Sequence, residues 1–531
     1  KVRVYDFADG RLTEDGAIQV PNFPVGLAIL ADGKTLYAAE NRGDALAIID
    51  IASATVTNVP VGPCETTQPD PGSPSPPQCQ PYGVALSTDG RTAYVTNWGE
   101  HSVTPVDTAG RHAGSPIQVG THPNALIANP APGRHELYVA NGDSDAVSVI
   151  DTATNAAVRS IDLAPYPGAP EGSNPHALAV SPGGDTLYVA NAGNNDIDVV
   201  ALNVPQEDQS RPVVGGGAPT EPREGGVRGM IPTAWYPSGV SVSPDGGTLF
   251  VENAKGLGAG PNPGHPGPFN PITPPTQYVG SMMHGTVSVI RTPDHEELGA
   301  YTRKVVRNNG FNARDKVRSG GRAGGVIPRR VGDPSPIKHV IYVIKENRTY
   351  DQVLGSLGKG NGDPSLNQFG DESAPNIRAL ARRFVTLDNL YASAEVSADG
   401  WNWSTAANAN TYVQKNWPAN YADSPGRNRG YDFEGGNYAT APNRDPHSAY
   451  LWDRLVGQKI DFRNYGFWVK FGVTPATPAS TAPNLVGRTD PNYPGYNLSI
   501  PDQARVSEWE REFHQYESAS NLPPVQFVRL P

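Results

Sequence analysis

The chain is poor in sulfur, with two cysteines and three methionines in 531 residues. That count excludes a disulfide-dense scaffold and a thiolate metal cage. Hydrophobic residues make up 37% of the sequence, and no apolar run approaches the roughly 18–20 residues that a membrane-spanning helix needs. Lysine and arginine form no outstanding cluster and the formal net charge is −11, which excludes a nucleic-acid footprint. Glycine and proline are what is abundant, 58 and 53 residues, about a fifth of the chain. Such a composition reads as many turns and long ordered loops, not a helical bundle. The length exceeds one ordinary core, so two large domains are expected.

The two cysteines, Cys64 and Cys79, bracket the Pro/Ser loop ETTQPDPGSPSPPQ, which has no core of its own. A disulfide pinning that loop is the favoured reading, and it implies an oxidising compartment. The alternative, two unpaired surface thiols, is disfavoured because exposed thiols are reactive. The chain begins at Lys1 without a methionine or a signal sequence, and it reads as a processed or trimmed exported protein. The expected location is secreted, periplasmic or cell-surface.

The first half repeats. Five segments share one order: a small apolar strand, a turn with Asp or Gly, an aromatic-led strand, a polar turn and another strand. The aromatic heads are Tyr37, Tyr94, Tyr138, Tyr188 and Phe250, at spacings of 57, 44, 50 and 62 residues. The shortest spacing is close to the about 40–45 residues of a four-stranded propeller blade, and the excess sits in Pro/Gly-rich insertions. Asp-Gly pairs at 32–33, 89–90 and 245–246 supply the positive φ of tight hairpins. Alternation gives each unit apolar faces that only neighbouring blades can cover. The repeats resemble the YVTN family of β-propellers: Tyr94-Val95-Thr96-Asn97 is that motif, and the segments from Tyr138 and Tyr188 are close variants. The resemblance covers most of residues 20–290 and implies a closed ring of about seven blades. Lys1–Pro21 reads as the tail of an earlier blade. No cluster of acids or histidines repeats at a blade-top position, so the propeller reads as a scaffold or a docking module for a protein or cell-surface partner. Residues 254–336 read as a Pro/Gly-rich insertion followed by a solvated basic crossover, with His265 and His284 as surface loop residues.

The second half has a different grammar. The run Val340-Ile341-Tyr342-Val343-Ile344 ends abruptly in Glu346-Asn347-Arg348, a buried strand delivering a carboxylate and an amide to its C-terminal edge. In α/β folds that edge is where ligands bind. Pro375–Arg383 reads as an amphipathic helix, Phe384–Leu387 as the next strand, and Ser404–Val413 as a second helix. That order is the pattern of a three-layer α/β sandwich. Ser397 precedes a Gly-containing turn and a helix N-terminus, where free N–H groups favour phosphate. Hard oxygen ligands such as Glu346 and Asn347 suit a divalent metal, which would activate Ser397. The plain alternative is that Ser397 caps a helix and Glu346–Arg348 closes a turn.

The segment IKHVIYVIKENRTYDQVLG resembles the opening motif of the phosphoesterase family of phospholipase C and acid phosphatase type, within the alkaline phosphatase superfamily. AEVSADGWNWSTAANANTYVQKNWP resembles the family's nucleophile segment, and FRNYGFWV a further block. The propeller followed by this domain also resembles a known two-domain bacterial arrangement. The resemblance implies Glu346 and Asn347 as metal ligands and Ser397 as ligand and phosphate-accepting nucleophile. The metal identity stays open among Zn, Ca, Mg, Mn and Fe. Two departures stand out: Trp401 occupies a position where relatives commonly carry His, and the chain stops at Pro531, before the Asp and His ligands of relatives. His339 reads as packed in a strand, His447 as a loop residue and His514 as a residue of a polar helix.

The expected architecture is therefore a propeller over 1–310, a linker over 311–336, and over 337–531 the N-terminal part of an alkaline-phosphatase-type α/β sandwich, truncated at its C-terminus. The expected function is hydrolysis of a phosphate ester through a phosphoserine. The alternative is a non-catalytic surface or assembly protein in which the propeller binds and the α/β half is a remnant. A weaker third reading has the propeller bind a ligand such as a glycan.

Overall fold

Short strands rich in β-branched residues, separated by tight turns, fold locally into antiparallel sheets. The computed structural model describes residues 1–62, 79–166, 169, 171–203, 226–258, 283–311, 326–327, 334–390, 392–407, 409, 414–415, 417, 450–469 and 484–531. They fall into two compact units, the first over Lys1–Pro334 together with 409, 414, 415 and 417, the second over Ser335–Ala407 and Ala449–Pro531.

The first unit opens with a hairpin, β1 (Val2–Ala8) and β2 (Arg11–Ile18). Blade 1 follows as β3 (Pro24–Ile29), β4 (Thr35–Glu40), β5 (Ala45–Asp50) and β6 (Thr55–Pro60). Blade 2 is β7 (Pro81–Leu86), β8 (Thr92–Asn97) and β9 (Ser102–Asp107), edged by the short β10 (His112–Ala113) and β11 (Ile117–Gln118). Blade 3 is β12 (Pro123–Ala128), β13 (Glu136–Asn141), β14 (Ala146–Asp151) and β15 (Ala156–Asp162). Blade 4 is β16 (Pro175–Val180), β17 (Thr186–Asn191), β18 (Asp196–Ala201) and β19 (Val227–Pro232). Blade 5 has three strands, β20 (Trp235–Val242), β21 (Thr248–Gly256) and β22 (Thr286–Arg291).

Period-two alternation decides which neighbour each side chain meets. In β8, Val95 packs with Tyr37, Ala39 and Leu46 of blade 1, while Tyr94 packs with Leu137, Val139 and Ile150 of blade 3. Close blade contact also needs small residues on the inner strands. A Cβ on Gly83 would stand 2.2 Å from the Asn124 carbonyl oxygen of the next blade. The hairpin turns divide their work between two residues: Gly33, Gly90 and Gly246 take the positive φ, and Asp32, Asp89 and Asp245 accept N–H bonds from Lys34, Arg91 and Gly247.

A second repeat joins the blades. Four inner strands begin at a proline that directly follows a positive-φ corner, Phe23, Gln80, His122 or Asn174, and in β20 the corner is Tyr236, just ahead of Pro237. In three blades a turn residue that is itself left-handed reaches forward to that corner. Asp44 accepts from the Gln80 N–H, Asp145 from the N–H groups of Gly172, Ser173 and Asn174, and Asn195 from the Tyr236 N–H. A single acid or amide therefore recurs in three of the five blades, a feature that the sequence reading, which looked for clusters of acids or histidines, did not include.

The described residues contain five blade sheets, short of the expected seven. The two terminal blades carry exposed apolar side chains, Leu27 and Ile29 on β3, Phe250 on β21, and Val287 and Val289 on β22. Helix α1 (His295–Asn309) corrects the expectation of irregular chain across 254–336. Asp294 and Glu297 form a capping box at its start, and Gly310 closes it in the left-handed region. Its apolar stripe, Leu298 and Val305, is buried against blades 3 to 5, and Thr302 Oγ1 accepts from the Met230 N–H at 2.9 Å. The linker reading lies mostly outside the described residues, as do Cys64 and His265. Cys79 is wholly buried in the core between blades 1 and 2.

The second unit is built on a parallel sheet ordered β23 (Val340–Lys345), β25 (Val525–Leu530), β24 (Phe462–Tyr465). Between these strands come α2 (Tyr350–Leu354), α3 (Pro375–Arg383), α4 (Ser397–Ala406), α5 (Leu451–Gly457) and α6 (Asp502–Ser518). Its core is aromatic: Trp452, Phe462, Phe467, Trp468 and Phe527. Helix α6 is bolted to β24 where Arg463 grips Glu512 through two nitrogens and the Tyr465 hydroxyl donates to the same carboxylate.

Helix α3 falls where the sequence places it, and four other readings need correction. The strand β23 is not buried, because Val340, Ile341 and Val343 are exposed. Phe384–Leu387 is not a strand: Phe384 ends α3, and Val385 and Leu387 are exposed with no ladder to join. Helix α4 starts at Ser397, ahead of the expected Ser404, because Asp399 caps the chain there. His339 precedes β23 and is exposed, its Nδ1 3.1 Å from the Pro523 carbonyl oxygen, so it is not packed.

Candidate functional site

Parallel pairing brings the C-terminal ends of β23 and β25 to one edge. The Glu346 N–H continues the ladder to the Leu530 carbonyl at 3.0 Å, which fixes Glu346 as the first residue beyond the strand. Its Oε1 accepts from Arg529 Nη2 at 2.9 Å. Both side chains are largely buried, and the guanidinium lies over Trp401 (4.3 Å to the ring centroid) and Tyr496 (5.0 Å). An arginine held between two aromatic faces and a carboxylate is a fixed positive charge.

Glu346 and Asn347 line a cleft of about 540 Å³ with Lys345, Arg348, Phe369 and Tyr496. Arg348 stacks over Phe369 at 5.1 Å, and Lys345 Nζ donates to Asp502 at 2.8 Å. Three cationic side chains and two carboxylates thus meet at this edge, with Arg529 paired to Glu346 and Lys345 to Asp502, and Arg348 is the cation that faces the cleft outside those two pairs.

Ser397 is the first residue of α4 and half-buried, and it is not among the residues lining this cleft. One turn further on, Trp401 stacks on Arg529, so α4 is tied to the Glu346 edge through the chain Trp401–Arg529–Glu346. The start of α4 is not an open anion seat. The buried Asp399 carboxylate accepts from the N–H groups of Glu395 (3.1 Å) and Val396 (3.0 Å), which sets a negative charge where the sequence reading placed a phosphate.

The expected divalent ion finds an incomplete donor set. Glu346 is already bonded to Arg529, and Asn347 adds only an amide. Among the described residues no group of three or more His, Cys, Asp or Glu gathers to hold a metal. Glu346, Asn347 and Ser397 do not by themselves make a metal centre. His514 lies exposed on α6, and His447 falls outside the described residues. Arg529 and Tyr496 are the residues sequence reasoning missed. The signal for Arg529 was present in FVRL, a strand whose end must share an edge with β23, but the pairing itself is not written in the sequence.

Repeated antiparallel sheets of about four strands, packed face to face in chain order, define a β-propeller-type repeat protein that also carries a parallel α/β unit. Over 107 residues, 20% of this chain, the sequence is 33% identical to the uncharacterized protein YncE of Salmonella typhi and, over the same length and share, to YncE of Salmonella typhimurium strain LT2. The chain spans about a quarter (27%) of the length of these curated relatives. No protein-family model matches. Among solved structures, similarity extends to a functionally unknown protein from Desulfotomaculum acetoxidans DSM 771, at 15% identity and a TM-score of 0.36 over 48% of this chain and 70% of that one. It extends also to a streptogramin B lyase, at 15% identity and a TM-score of 0.31 over 46% and 66% of the two chains. Hydrazine synthase of Kuenenia stuttgartiensis is similar at 18% identity, with a TM-score of 0.23 over 54% and 99%. At these scores the structural likenesses carry no argument about activity.

Proposed function

We propose that the chain is an exported phosphoesterase whose second unit, of alkaline phosphatase type, acts on a phosphate ester while the propeller serves as a docking module. The observation that carries this reading is the cationic edge of the parallel sheet, Lys345, Arg348 and Arg529 around Glu346 and Asn347, with Ser397 on the helix tied to it. The guanidinium and ammonium groups balance phosphate charge. Ser397 Oγ attacks phosphorus, the Oγ–P bond forms as the ester P–O bond breaks, and the serine proton leaves with the alcohol. Water then cleaves the phosphoseryl bond, giving phosphate and returning a proton to Ser397. No step is routed through a metal ion, because the donors present do not form its site.

Phosphate release from aryl phosphomonoesters and phosphodiesters by the full chain, with and without added Mg, Ca or Zn, tests the reading. Ser397→Ala is expected to lower turnover by about 10³-fold or more while the circular dichroism spectrum is unchanged. Equal release by the variant, or none by the wild type under any metal condition, overturns it. The second reading, a non-catalytic binding protein, draws on two observations: the Arg529–Glu346 pair occupies the expected metal ligand, and Asp399 occupies the start of α4. A wild type that is folded and inert in every assay is its expected outcome.

A further inference from the structure

The residue after the inner-strand proline holds the same place in every blade: Val25, Tyr82, Asn124, His176 and Ser238. In blade 3 the polar side chain there is satisfied. Asn124 Nδ2 donates to the Pro175 carbonyl at 3.2 Å, and Asn124 Oδ1 accepts from the Ala125 N–H at 2.6 Å. In blade 4 it is not. His176 is 5% exposed, its ring packs edge-on against Tyr236 at 5.4 Å between centroids, and its Nδ1 has no hydrogen-bond partner. A polar atom buried without a partner is costly.

Blade 2 brings aromatic faces to the equivalent place. Tyr82 and Trp98 pack at 4.9 Å between centroids, tilted by 52°. Trp98 directly follows the second strand of its blade, where the other four blades carry Asn41, Gly142, Ala192 and Ala254. Over the Tyr82 ring stands Lys415, its Nζ 4.0 Å from the centroid. Lys415 belongs to the first unit, and its neighbours Gln414 and Trp417 are buried. The side chain keeps partial access to solvent, yet no carboxylate among the described residues acts on it, and burial holds the ammonium well below the usual lysine range. An aromatic face offsets a desolvated cation only in part. Burial first, and then this ammonium, hold the His176 imidazole well below its ordinary range. A cation that lacks a counter-charge therefore lies within electrostatic reach of a buried nitrogen that lacks a hydrogen bond.

We infer that this site between blades 2 and 4 binds the carboxylate of a small organic acid, one oxygen on Lys415 Nζ and the other on His176 Nδ1, with the body of the acid against Tyr82 and Trp98. The bound group gives Lys415 its counter-charge and gives His176 Nδ1 an acceptor in one step. His176 is held neutral, so Lys415 supplies a single positive charge, and a monoanion balances it. A dianion would bury a surplus charge beside aromatic rings. Apolar walls with a few converging polar groups are the usual make-up of a small-molecule site. The site lies in the first unit and does not depend on the phosphoesterase reading.

The test uses the full chain at fixed ionic strength, titrated with sodium benzoate and separately with sodium acetate, read by calorimetry and by thermal unfolding. Benzoate is expected to bind and to raise the melting temperature, and acetate, which lacks the ring, to bind at least tenfold more weakly. Lys415→Met keeps the reach of the side chain and removes its charge. It is expected to abolish the benzoate heats and to melt no lower than the unliganded wild type, because the uncompensated cation is gone. His176→Phe keeps a ring against Tyr236 and removes Nδ1. It is expected to weaken benzoate at least tenfold and serves if Lys415→Met does not fold. Benzoate heats or melting shifts that are absent from the wild type, unchanged in either folded variant, or matched by acetate overturn the inference.

Discussion

The two units solve the strand-pairing problem in opposite ways. In the blades most strands pair with the next in sequence through short turns that let the local chain dictate the partner, with longer connections only between β18 and β19 and between β21 and β22. In the second unit β23 pairs with β25 across 183 residues between Glu346 and Arg529, and β24 completes the sheet from the other side. Local pairing makes the first unit a sum of similar modules. Distant pairing makes the second depend on a few anchors, and it also brings Arg529 to Glu346. A site that depends on distant strands belongs to the less locally determined region.

Units built so differently are expected to unfold in two transitions with separate sensitivities. Glu512→Ala strands Arg463 and removes the acceptor of the Tyr465 hydroxyl, so the second unit is expected to lose about 3–5 kcal/mol. Denaturant unfolding would register it in one transition only, and an equal shift of both would show that the units unfold together. Gly83→Ala drives a methyl into the Asn124 carbonyl and is expected to cost the propeller about 1–3 kcal/mol in the other transition. Asp294→Ala removes the cap of α1 and is expected to cost about 1 kcal/mol, again in the propeller transition.

The smallest effect is a pH slope. Burial raises Asp490 to about 6, with Glu512 and Glu508 adding to the shift. The folded state therefore holds this proton more tightly than the unfolded chain, and the contribution to stability is full below about pH 4 and lost as pH rises through 6. Asp490→Asn is expected to flatten that slope in the second transition. Melting temperatures measured from pH 4 to 7 check it, and an unchanged slope would show that Asp490 does not titrate there.

Much of this was legible in the chain. The spacing of Tyr37, Tyr94, Tyr138 and Tyr188 predicts the blades, and α3 lies at its predicted bounds, Pro375–Arg383. The blade-top acceptors Asp44, Asp145 and Asn195 were missed because insertions of unequal length separate each from its partner corner. Helix α1 was missed because its capping box lies inside a stretch dominated by proline, glycine and basic residues. Of the candidate site, Glu346 and Asn347 were placed correctly at a strand end, but Arg529 was not foreseen as the partner of Glu346.

The sequence by itself determined the features that depend on neighbours a few residues apart. Strand alternation, the glycine of the hairpin turns and the proline that opens most inner strands are local steric and hydrogen-bonding preferences. Only the tertiary structure decided which acceptors meet donors. It paired Glu346 with Arg529, filled the start of α4 with Asp399, and set Lys415 over Tyr82 within electrostatic reach of the buried His176. Charge and hydrogen-bond balance are sums over everything within a few ångströms, and the sequence records no such distances until strands far apart in the chain have paired.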